Sequence, residues 1–354
     1  MFRFLLLTAG LVCLLGLDLT GGLGWCHARE ITSVNINCFV YHRFDDDRYP
    51  ATNITTDDFQ RHLQYLKDQN FHVVTLSRAL EMLNEGKTPG EKIAVLTVDD
   101  GYASFYEKAM PLLQLYGFGA TLFVNTATIG NSDFINWEQL RELQRQGIEI
   151  GNHSHSHAHF VDHDPTERIA MFRDEVKISQ RIFREHLGEA PRLFSYPYGE
   201  YSLSMLRVLK EEGFVGAAAQ NSGVISKFSD LFALPRFPVA GKYADPEGFK
   251  EKASMKALPV YVVGEPDHIV AGGEPSSLKL HLAEPGMVSL NHFQCFVADT
   301  EACKLDYDED NSILTMTAEN PLQERRTLYT ITAPSASSTG VWHWFSHLWI
   351  DPEK

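Results

Sequence analysis

The stretch Ile93–Gly101 reads IAVLTVDDG. The fold of the chain can be predicted from this stretch and from the segments on either side of it. Its apolar and β-branched residues predict a strand that ends at Asp99 and Asp100. Two adjacent carboxylates at a strand end repel each other unless a cation shares their charge. A divalent metal ion does this, and it can leave one carboxylate as a ligand and its neighbour as a base. The alternative is a solvated Asp-Asp-Gly turn, which is common on protein surfaces.

Strands and helices alternate on both sides of this stretch, from about residue 31 to about residue 240. The predicted strands are Val34–Tyr41, His72–Thr75, Ile93–Val98, Ala120–Val124, Ile148–Gly151, Leu193–Tyr196 and Val215–Ala219. The predicted helices are Thr56–Gln69, Leu76–Glu85, Ala103–Tyr116, Asn136–Gln146, Pro165–Gly188 and Ser202–Glu212. This alternation predicts a parallel α/β architecture. A barrel is favoured over an open sheet because candidate site residues follow several strands.

Beyond Pro259 the sequence changes character. Residues 264–277 read GEPDHIVAGGEPSS, which is typical of a linker or long loop. Short alternating runs follow and predict a small β-sandwich: Leu278–Leu282, Met287–His292, Lys304–Tyr307, Ile313–Thr317, Thr327–Thr332 and Val341–Leu348. We therefore predict a barrel domain at 29–258, a linker at 259–275 and a β-sandwich-like module at 276–354. Trp342, Trp344 and Trp349 are assigned to the core of that module, with stacking on sugar rings as the alternative.

The chain begins with the layout of a secretory signal. Arg3 precedes an apolar run at residues 4–17, and small residues lead to Ala28. The run is too short and too glycine-rich for a convincing membrane span. We predict a signal peptide at 1–28 with cleavage after Ala28, and an uncleaved N-terminal anchor is the alternative. No later stretch is long and apolar enough to span a membrane, so we expect none in the mature chain.

The cysteines and the net charge limit the kinds of protein to which this chain can belong. Cys295 and Cys303 lie close together with polar residues between them, which favours a disulfide in an exported protein. Cys38 lies inside an apolar run and is predicted to be a buried thiol. The formal net charge is −15, and loss of residues 1–28 leaves it unchanged because Arg3 and Asp18 cancel. A chain this acidic is a poor candidate for binding nucleic acid or an anionic membrane.

A second candidate site follows another predicted strand, where residues 151–159 read GNHSHSHAH. Imidazole is a frequent ligand of zinc and similar metals. His153 and His157 are four residues apart, so one helical turn presents both. The alternative is a histidine-rich surface loop that binds metal only adventitiously. We assign His155, His159 and His163 to that alternative.

Two further elements also follow strand ends. Tyr196–Gly199 reads YPYG, and such a turn is suited to aim a backbone N–H at an oxyanion, although it is equally the sequence of an ordinary turn. His42 ends the first strand, in residues 39–43, which read FVYHR. The carboxyl ends of strands in parallel α/β folds form one face, and active sites gather there. All four elements are therefore predicted to share one site.

Taken together, these elements resemble the motifs of the NodB-like polysaccharide deacetylases, carbohydrate esterase family four. Thr97–Gly101 resembles the family's TFDDG motif, with valine in place of phenylalanine. His153 and His157 match its H-[ST]-x-x-H motif, and Tyr196–Gly199 resembles its third motif. The similarity extends over about residues 31–245. The resemblance implies a distorted (β/α) barrel and a divalent metal, usually zinc, bound by one aspartate and two histidines.

Carried over by position, the resemblance implies a role for each residue. Asp99 would be the general base, and Asp100, His153 and His157 would be the metal ligands. The backbone N–H of Tyr198 would help to hold the tetrahedral oxyanion. Metal and base would activate water for attack on an acetamide carbonyl, and an acid would protonate the departing amine.

The catalytic acid departs from the usual family arrangement. Many members carry it late in the chain in an L-x-H motif, and Leu290–His292 matches that motif but lies inside the predicted β-sandwich. Tyr41 and His42 instead resemble the circularly permuted poly-β-1,6-N-acetylglucosamine deacetylases, in which this histidine lies near the N-terminus. We therefore predict His42 as the acid and treat the match at His292 as a coincidence.

A second departure is Ser195, where many members carry an arginine that braces the catalytic base. Arg236, in the run LPRF at residues 234–237, is a candidate substitute from another strand end. The alternative for Arg236 is a purely structural ion pair.

The resemblance implies a metal-dependent N-deacetylase of an extracellular amino-sugar polysaccharide, with a poly-N-acetylglucosamine-like substrate favoured. Chitin, peptidoglycan and O-acetylated glycans are alternatives because the motifs specify deacylation better than the sugar. The expected location is secreted or within the bacterial cell envelope or periplasm. Two other classes stay open: an inactive glycan-binding matrix protein on the same fold, and a metal-dependent amidase acting on a small molecule or peptide.

Overall fold

The computed structural model describes residues 34–86, 92–270, 277–298 and 303–354. The predicted signal peptide at 1–28 and its cleavage site lie outside these residues. No helix in the described part of the chain has the length and apolar character needed to cross a membrane.

The chain forms nineteen strands and seven α-helices in the described ranges. The strands are β1 (Ile36–Tyr41), β2 (Arg43–Phe44), β3 (Asn53–Ile54), β4 (His72–Val74), β5 (Ile93–Val98), β6 (Thr121–Val124), β7 (Glu149–Asn152), β8 (Leu193–Ser195), β9 (Gly216–Ala218), β10 (Val224–Ile225), β11 (Phe237–Pro238), β12 (Lys256–Ala257), β13 (Val260–Val262), β14 (Ser277–Leu282), β15 (Gln294–Val297), β16 (Cys303–Asp308), β17 (Ile313–Ala318), β18 (Arg326–Pro334) and β19 (Trp342–Ile350). The α-helices are α1 (Thr56–Asp68), α2 (Leu76–Glu85), α3 (Met110–Tyr116), α4 (Trp137–Arg145), α5 (Pro165–Leu187), α6 (Leu203–Glu211) and α7 (Pro246–Ser254).

One large sheet has the strand order β10-β1-β5-β6-β7-β8-β9, with β4 also paired to β5 and β11 to β1. Every pairing in it is parallel except that of β1 with β10. β1 and β5 run in register from Ile36 opposite Ile93 to Tyr41 opposite Val98. His42 and Asp99 therefore leave the sheet side by side, at the edge where the other carboxyl ends also meet.

The sheet curls back on itself through the segment that follows β9. Leu234 exchanges backbone hydrogen bonds with Ala217 and Ala219 on one side. The N–H of Val239 donates to the carbonyl of Val40 on the other side, at 3.1 Å. The predicted distorted α/β barrel is thus confirmed, and Arg236 lies between the two points of closure.

The inside of the curled sheet is filled by a small apolar cluster. Cys38 of β1 lies within it together with Phe123, Leu193 and Leu234, and all four side chains are buried. The predicted burial of the Cys38 thiol is confirmed, and this burial raises its pKa to about 12. A filled interior restricts any reaction site to the open end of the barrel.

The C-terminal strands form two four-stranded sheets, β12-β19-β18-β15 and β13-β14-β17-β16. Their facing apolar side chains build one core, which includes Leu280, Met316 and Trp349. The predicted disulfide between Cys295 and Cys303 is present. Trp344 packs against Phe237 of the barrel instead, with ring centroids 5.7 Å apart.

Two sequence expectations differ from the structure in this region. The predicted linker at 259–275 contains β13, whose residues pair with Leu280–Leu282, so the β-sandwich begins near Lys256. The predicted strand at Met287–His292 is instead parts of two 3-10 turns, because Pro285 begins a turn and cannot donate a sheet hydrogen bond. The strand next to it, β15, lies just after the predicted run.

Candidate functional site

Asp99 lies directly after β5 and is fixed by Arg236. Arg236 Nη1 donates to Asp99 Oδ1 and Nη2 to Oδ2, both at 2.8 Å, and neither side chain reaches solvent. Burial by itself raises the pKa of Asp99, but Arg236 and, more weakly, His153 and His42 bring it below its ordinary value. The Asp99 carboxylate is therefore ionised at neutral pH.

Arg236 has an acceptor for each of its N–H groups. Nε donates to the carbonyl of Ala219 at 2.9 Å, and Nη1 donates to Thr97 Oγ1 at 3.1 Å as well as to Asp99. Nη2 donates to Ser195 Oγ at 2.9 Å, and the Ser195 hydroxyl donates in turn to Asp99 Oδ2 at 3.1 Å. The structure thus brings Arg236 to the position beside Ser195 from which it can brace Asp99.

Asp100, His153 and His157 converge at the same end of the barrel. Asp100 Oδ1 lies 3.4 Å from His153 Nε2 and 3.2 Å from His157 Nε2, and the two ring nitrogens are 3.1 Å apart. Burial by itself raises the pKa of Asp100, but its contacts with the two histidines and the charge of His42 hold it well below its ordinary value. The cluster joins one anionic oxygen to two imidazole nitrogens.

The protonation of His153 is set by its backbone partner. His153 Nδ1 lies 2.7 Å from the carbonyl oxygen of Ser195, which can only accept, so Nδ1 carries the proton. In the neutral ring Nε2 then presents a lone pair towards Asp100. A backbone carbonyl in this place is the usual way in which a metal-binding histidine is oriented.

The loop after β7 is shaped by its own polar side chains. Asn152 Oδ1 accepts from the N–H of Ser154 at 2.8 Å, and Ser154 Oγ accepts from the N–H of His157 at 3.0 Å. Glu175 of α5 accepts from two further N–H groups of the loop, those of His155 and Ser156, at 3.0 and 2.7 Å. These bonds place His153 and His157 on the same side of the loop.

Four side-chain-bearing residues of the site have positive φ angles: Asp100 at 73°, Ser154 at 69°, and His157 and Tyr198 each at 59°. Such residues cost on the order of 1–3 kcal/mol each and are retained where the surroundings fix them. The adjacent Gly101 has φ 76°, and a Cβ there would lie 2.6 Å from Val124. The close turn after Asp100 therefore requires glycine at this position.

His42 follows β1 at the same edge. Its Nδ1 is buried and has no hydrogen-bond partner among the described residues. Burial lowers the pKa of His42, and the charges of Asp100 and Asp99 partly oppose this. The histidine therefore lies within electrostatic reach of both carboxylates.

Tyr198 lies in the 3-10 turn Pro197–Gly199 that follows β8. Its ring is edge-on to the His157 ring with centroids 4.5 Å apart, and it stacks on the His159 ring at 3.5 Å. The predicted third element thus lies against the Asp100–His153–His157 cluster.

The structure does not bring the other histidines to that cluster. His155 is hydrogen-bonded to Thr126 at 2.8 Å, and His163 faces Glu167 at 3.6 Å. His159 faces Glu200 at 3.1 Å. His292 is exposed on the β-sandwich and bonds to Ser289 at 2.8 Å.

Two residues near the site were not singled out from the sequence. Tyr102 follows Asp100 and Gly101, and its ring lies 3.4 Å from the guanidinium carbon of Arg43. Burial and the charge of Asp100 raise the pKa of Tyr102 to about 12, so its hydroxyl stays protonated. Arg43 directly follows His42, and Tyr102 lies two positions after Asp100, and this closeness to motif residues was the only available signal.

The donor set fits a divalent metal ion. Asp100, His153 and His157 each offer one ligand atom, and all three atoms lie within 4.8 Å of one another. Nε2 of His153 and Nε2 of His157 lie 3.1 Å apart, a separation that needs a proton or a cation between the two nitrogens. One carboxylate and two imidazoles with an open position are typical of catalytic zinc sites.

Part of the chain is similar in sequence to known proteins. The family model described as Polysaccharide deacetylase matches residues 86–217. The Bacillus subtilis protein YxkH is 27% identical over 201 residues, which cover 57% of this chain and 70% of that protein. The Escherichia coli (strain K12) poly-beta-1,6-N-acetyl-D-glucosamine N-deacetylase is 26% identical over 241 residues, which cover 56% of this chain and only 36% of the relative.

The barrel is also similar in fold to a solved deacetylase structure. The structure of the Streptococcus pyogenes deacetylase PplD in complex with acetate aligns with a TM-score of 0.57 at 23% identity. The alignment covers 63% of this chain and 99% of that chain. Together with the family match, it confirms the resemblance drawn from the motifs. Residues 86–217 of this chain therefore match the polysaccharide deacetylase family, as the motifs predict, and the barrel has the fold of a solved deacetylase.

Proposed function

We propose that this protein is a metal-dependent N-deacetylase of an extracellular amino-sugar polysaccharide. The observation that supports this most is the convergence of Asp100, His153 and His157 beside an ionised, arginine-braced Asp99. This arrangement would supply metal ligands and a separate carboxylate base in one buried place, which suits metal-assisted hydrolysis of an amide.

Asp100, His153 and His157 would hold the metal, and zinc best suits two imidazoles with one carboxylate. When bound, the ion would polarise the acetamide carbonyl and lower the pKa of a nearby water. The Nδ1–H bond of His153 to the Ser195 carbonyl keeps the ligand nitrogen of that ring free for this purpose.

Asp99 would take the proton of the attacking water. Among the described residues, Arg236 and Ser195 supply three hydrogen bonds to its carboxylate, which leaves about one acceptor position for that proton. Arg236 keeps Asp99 ionised and fixes its orientation, so the base does not have to reorganise during the reaction.

His42 would act as the acid that protonates the departing amine. Its place at the end of β1, beside the end of β5, puts it on the same face as Asp99. The backbone N–H of Tyr198 would stabilise the negative charge on the carbonyl oxygen of the tetrahedral intermediate.

The proposed substrate is a poly-N-acetylglucosamine-like polysaccharide. The name of the Escherichia coli relative points to poly-β-1,6-N-acetylglucosamine, although this chain spans only 36% of that protein. A net charge of −15 also suits a polymer that becomes cationic as its acetyl groups are removed. Such a substrate lies outside the cytoplasm, which agrees with the predicted export signal.

The test is acetate release from poly-β-1,6-N-acetylglucosamine oligomers by the zinc-loaded protein. We expect release that is lost after chelation and in the Asp99→Asn variant. Release only from chitin or peptidoglycan fragments would keep the chemistry and change the substrate. A zinc-loaded wild type that releases acetate from none of these glycans would contradict the proposed function.

A further inference from the structure

The loop that carries Tyr198 is held by residues of the β-sandwich. Arg325 immediately precedes β18, and Arg326 is its first residue. Arg326 Nη1 donates to the carbonyl oxygen of Tyr198 at 2.5 Å and to Gln220 Oε1 at 3.3 Å. Residues 128 positions apart in the chain therefore meet at the edge of the site.

Arg325 binds the residue that ends the same loop. Its Nε donates to Glu200 Oε1 at 2.8 Å and its Nη2 to Oε2 at 2.9 Å, a bidentate pair. The Glu200 side chain is only 3% exposed, so this pair is largely shielded from water. Paired bonds of this kind fix direction as well as distance. Arg325 Nη2 also donates to Asp162 at 2.5 Å.

The contact continues from Glu200 to the ring of Tyr198. Glu200 Oε2 lies 3.1 Å from His159 Nδ1, which donates to it. The His159 ring is stacked on the Tyr198 ring at 3.5 Å with only 7° between the planes. Tyr198 then meets His157, one of the proposed metal ligands, at 4.5 Å. A continuous series of contacts thus joins Arg325 to the reaction centre.

Tyr198 needs such support because its backbone is strained. A bulky side chain at φ 59° is a conformational outlier that the surroundings must fix. Arg326 holds the carbonyl of this residue, and Arg325 holds its ring through Glu200 and His159. The carbonyl and the ring are both attached at the Tyr198 Cα, so the two contacts together fix the position of the Cα that carries the Tyr198 N–H.

We infer that Arg325 and Arg326 are positioning residues, and that the β-sandwich completes the deacetylase site by fixing the Tyr198 loop. The inference rests on the proposed role of the Tyr198 N–H. It assigns the C-terminal module a task in the reaction itself, distinct from holding a glycan at a remote surface.

The experiment uses the full-length zinc-loaded protein and the variants Arg326→Gln, Arg326→Lys and Arg325→Lys. Arg207→Gln is the matched control, because Arg207 makes an ion pair of 3.2 Å with Glu265 in which both side chains are largely exposed. The measurements are kcat and KM for acetate release, zinc affinity and the thermal midpoint. The ring ¹⁵N signals of His159 are recorded without substrate.

We expect Arg326→Gln and Arg325→Lys to lower kcat by about 10- to 100-fold with KM changed less than about threefold. Zinc affinity and thermal midpoint should match those of Arg207→Gln. Arg326→Lys should recover most of the activity, because an ammonium group still donates one bond to the Tyr198 carbonyl. Values of kcat equal to that of the control, or losses that only follow the thermal midpoint, would overturn the inference.

The histidine signals separate this inference from the proposed function. A shift of the His159 ring signals in Arg325→Lys, absent in Arg207→Gln, supports the positioning contact even if no glycan is hydrolysed. Unchanged signals overturn it even if the wild type is fully active. A wild type that hydrolyses no acetylated glycan contradicts the proposed function alone.

Discussion

At the scale of single residues, Arg236 and Asp99 form an ion pair, and neither side chain is exposed to solvent. Removing one partner of such a pair leaves the other charge buried without compensation, which costs about 3–5 kcal/mol. We therefore expect Arg236→Met to lower the free energy of unfolding by about that amount and to reduce kcat strongly. Arg236→Lys should be intermediate, because lysine keeps the charge but loses the fork that holds both oxygens of Asp99.

Urea unfolding at pH 7 and acetate release check this prediction. Ser195→Ala is the matched variant: it removes one neutral hydroxyl that bonds to the same carboxylate, so the loss should be about 1–2 kcal/mol. Wild-type stability in Arg236→Met would show that the pair does not hold Asp99 in solution.

The metal site gives a second prediction at this scale. His157→Ala removes one of the three proposed ligand atoms, so zinc affinity should fall by more than about 100-fold. His155→Ala lies in the same loop but bonds to Thr126, so its zinc affinity should equal that of the wild type. Zinc titration of the apo-proteins measures both. Equal losses in the two variants would mean that the loop binds zinc non-specifically.

These residues show which contacts of the site could be predicted from the sequence and which could not. The carboxylates and histidines follow strands directly, so their convergence was predictable from the common edge of a parallel sheet. The contact of Arg236 with Asp99 joins residues 137 positions apart, and it exists only because the segment after β9 closes the barrel. Arg236 was considered only because the family resemblance left Asp99 without its usual arginine. Arg325 and Arg326 gave no such signal, since their partners lie in another module.

At the scale of elements, His62 connects α1 to the barrel and to the segment before α7. Its Nε2 lies 3.1 Å from the carbonyl of Ala244 and therefore donates, so Nδ1 accepts from the Tyr41 hydroxyl at 3.2 Å. The ring also stacks on Phe249 at 3.9 Å. Burial lowers the pKa of His62 to about 4, although the Ala244 carbonyl opposes this.

This buried neutral histidine predicts a pH dependence of stability. The unfolded chain takes up a proton at His62 near pH 6.5 and the folded chain only near pH 4, so stability is lost as the pH falls between these values. The loss from this group is at most about 3 kcal/mol. Urea unfolding from pH 7.5 to pH 4.5 should show a shallower decline for His62→Gln than for the exposed control His72→Gln. Parallel curves would refute the assignment.

Element positions were predictable where a local pattern is long enough. β5 and α2 have the predicted bounds, and α1 begins at the predicted residue, where the Thr55 side chain accepts from the N–H of Asp58. The two-residue strands were missed because strands so short exist only through their neighbours. The apolar residues of Met287–His292 led to the prediction of a strand, but Pro285 begins a turn just before them.

On the scale of the whole molecule, the barrel and the β-sandwich share buried contacts. The Trp344 indole N–H donates to Ser222 Oγ at 3.1 Å, and β12, just after α7, pairs with β19. The ion pair of Arg325 with Glu200 crosses the same junction. Because neither module can lose these contacts without exposing apolar or charged groups of the other, we expect the two to unfold together.

Removal of the disulfide in the β-sandwich tests whether the β-sandwich and the barrel unfold together. Cys295 and Cys303 are 8 positions apart, and opening so short a loop should lower the free energy of unfolding by about 2–3 kcal/mol. In the double variant Cys295→Ser/Cys303→Ser, weakening of the β-sandwich should therefore lower the thermal midpoint of the barrel equally. Near-ultraviolet circular dichroism reports on both modules, and release of bound zinc during the same melt reports on the barrel. Coincident curves at a lower temperature are expected, because unfolding of the β-sandwich removes the contacts that Trp344 and β19 make with Ser222 and β12. Zinc release at the wild-type temperature, after a separate first transition, would instead show that the barrel holds its site without the second module.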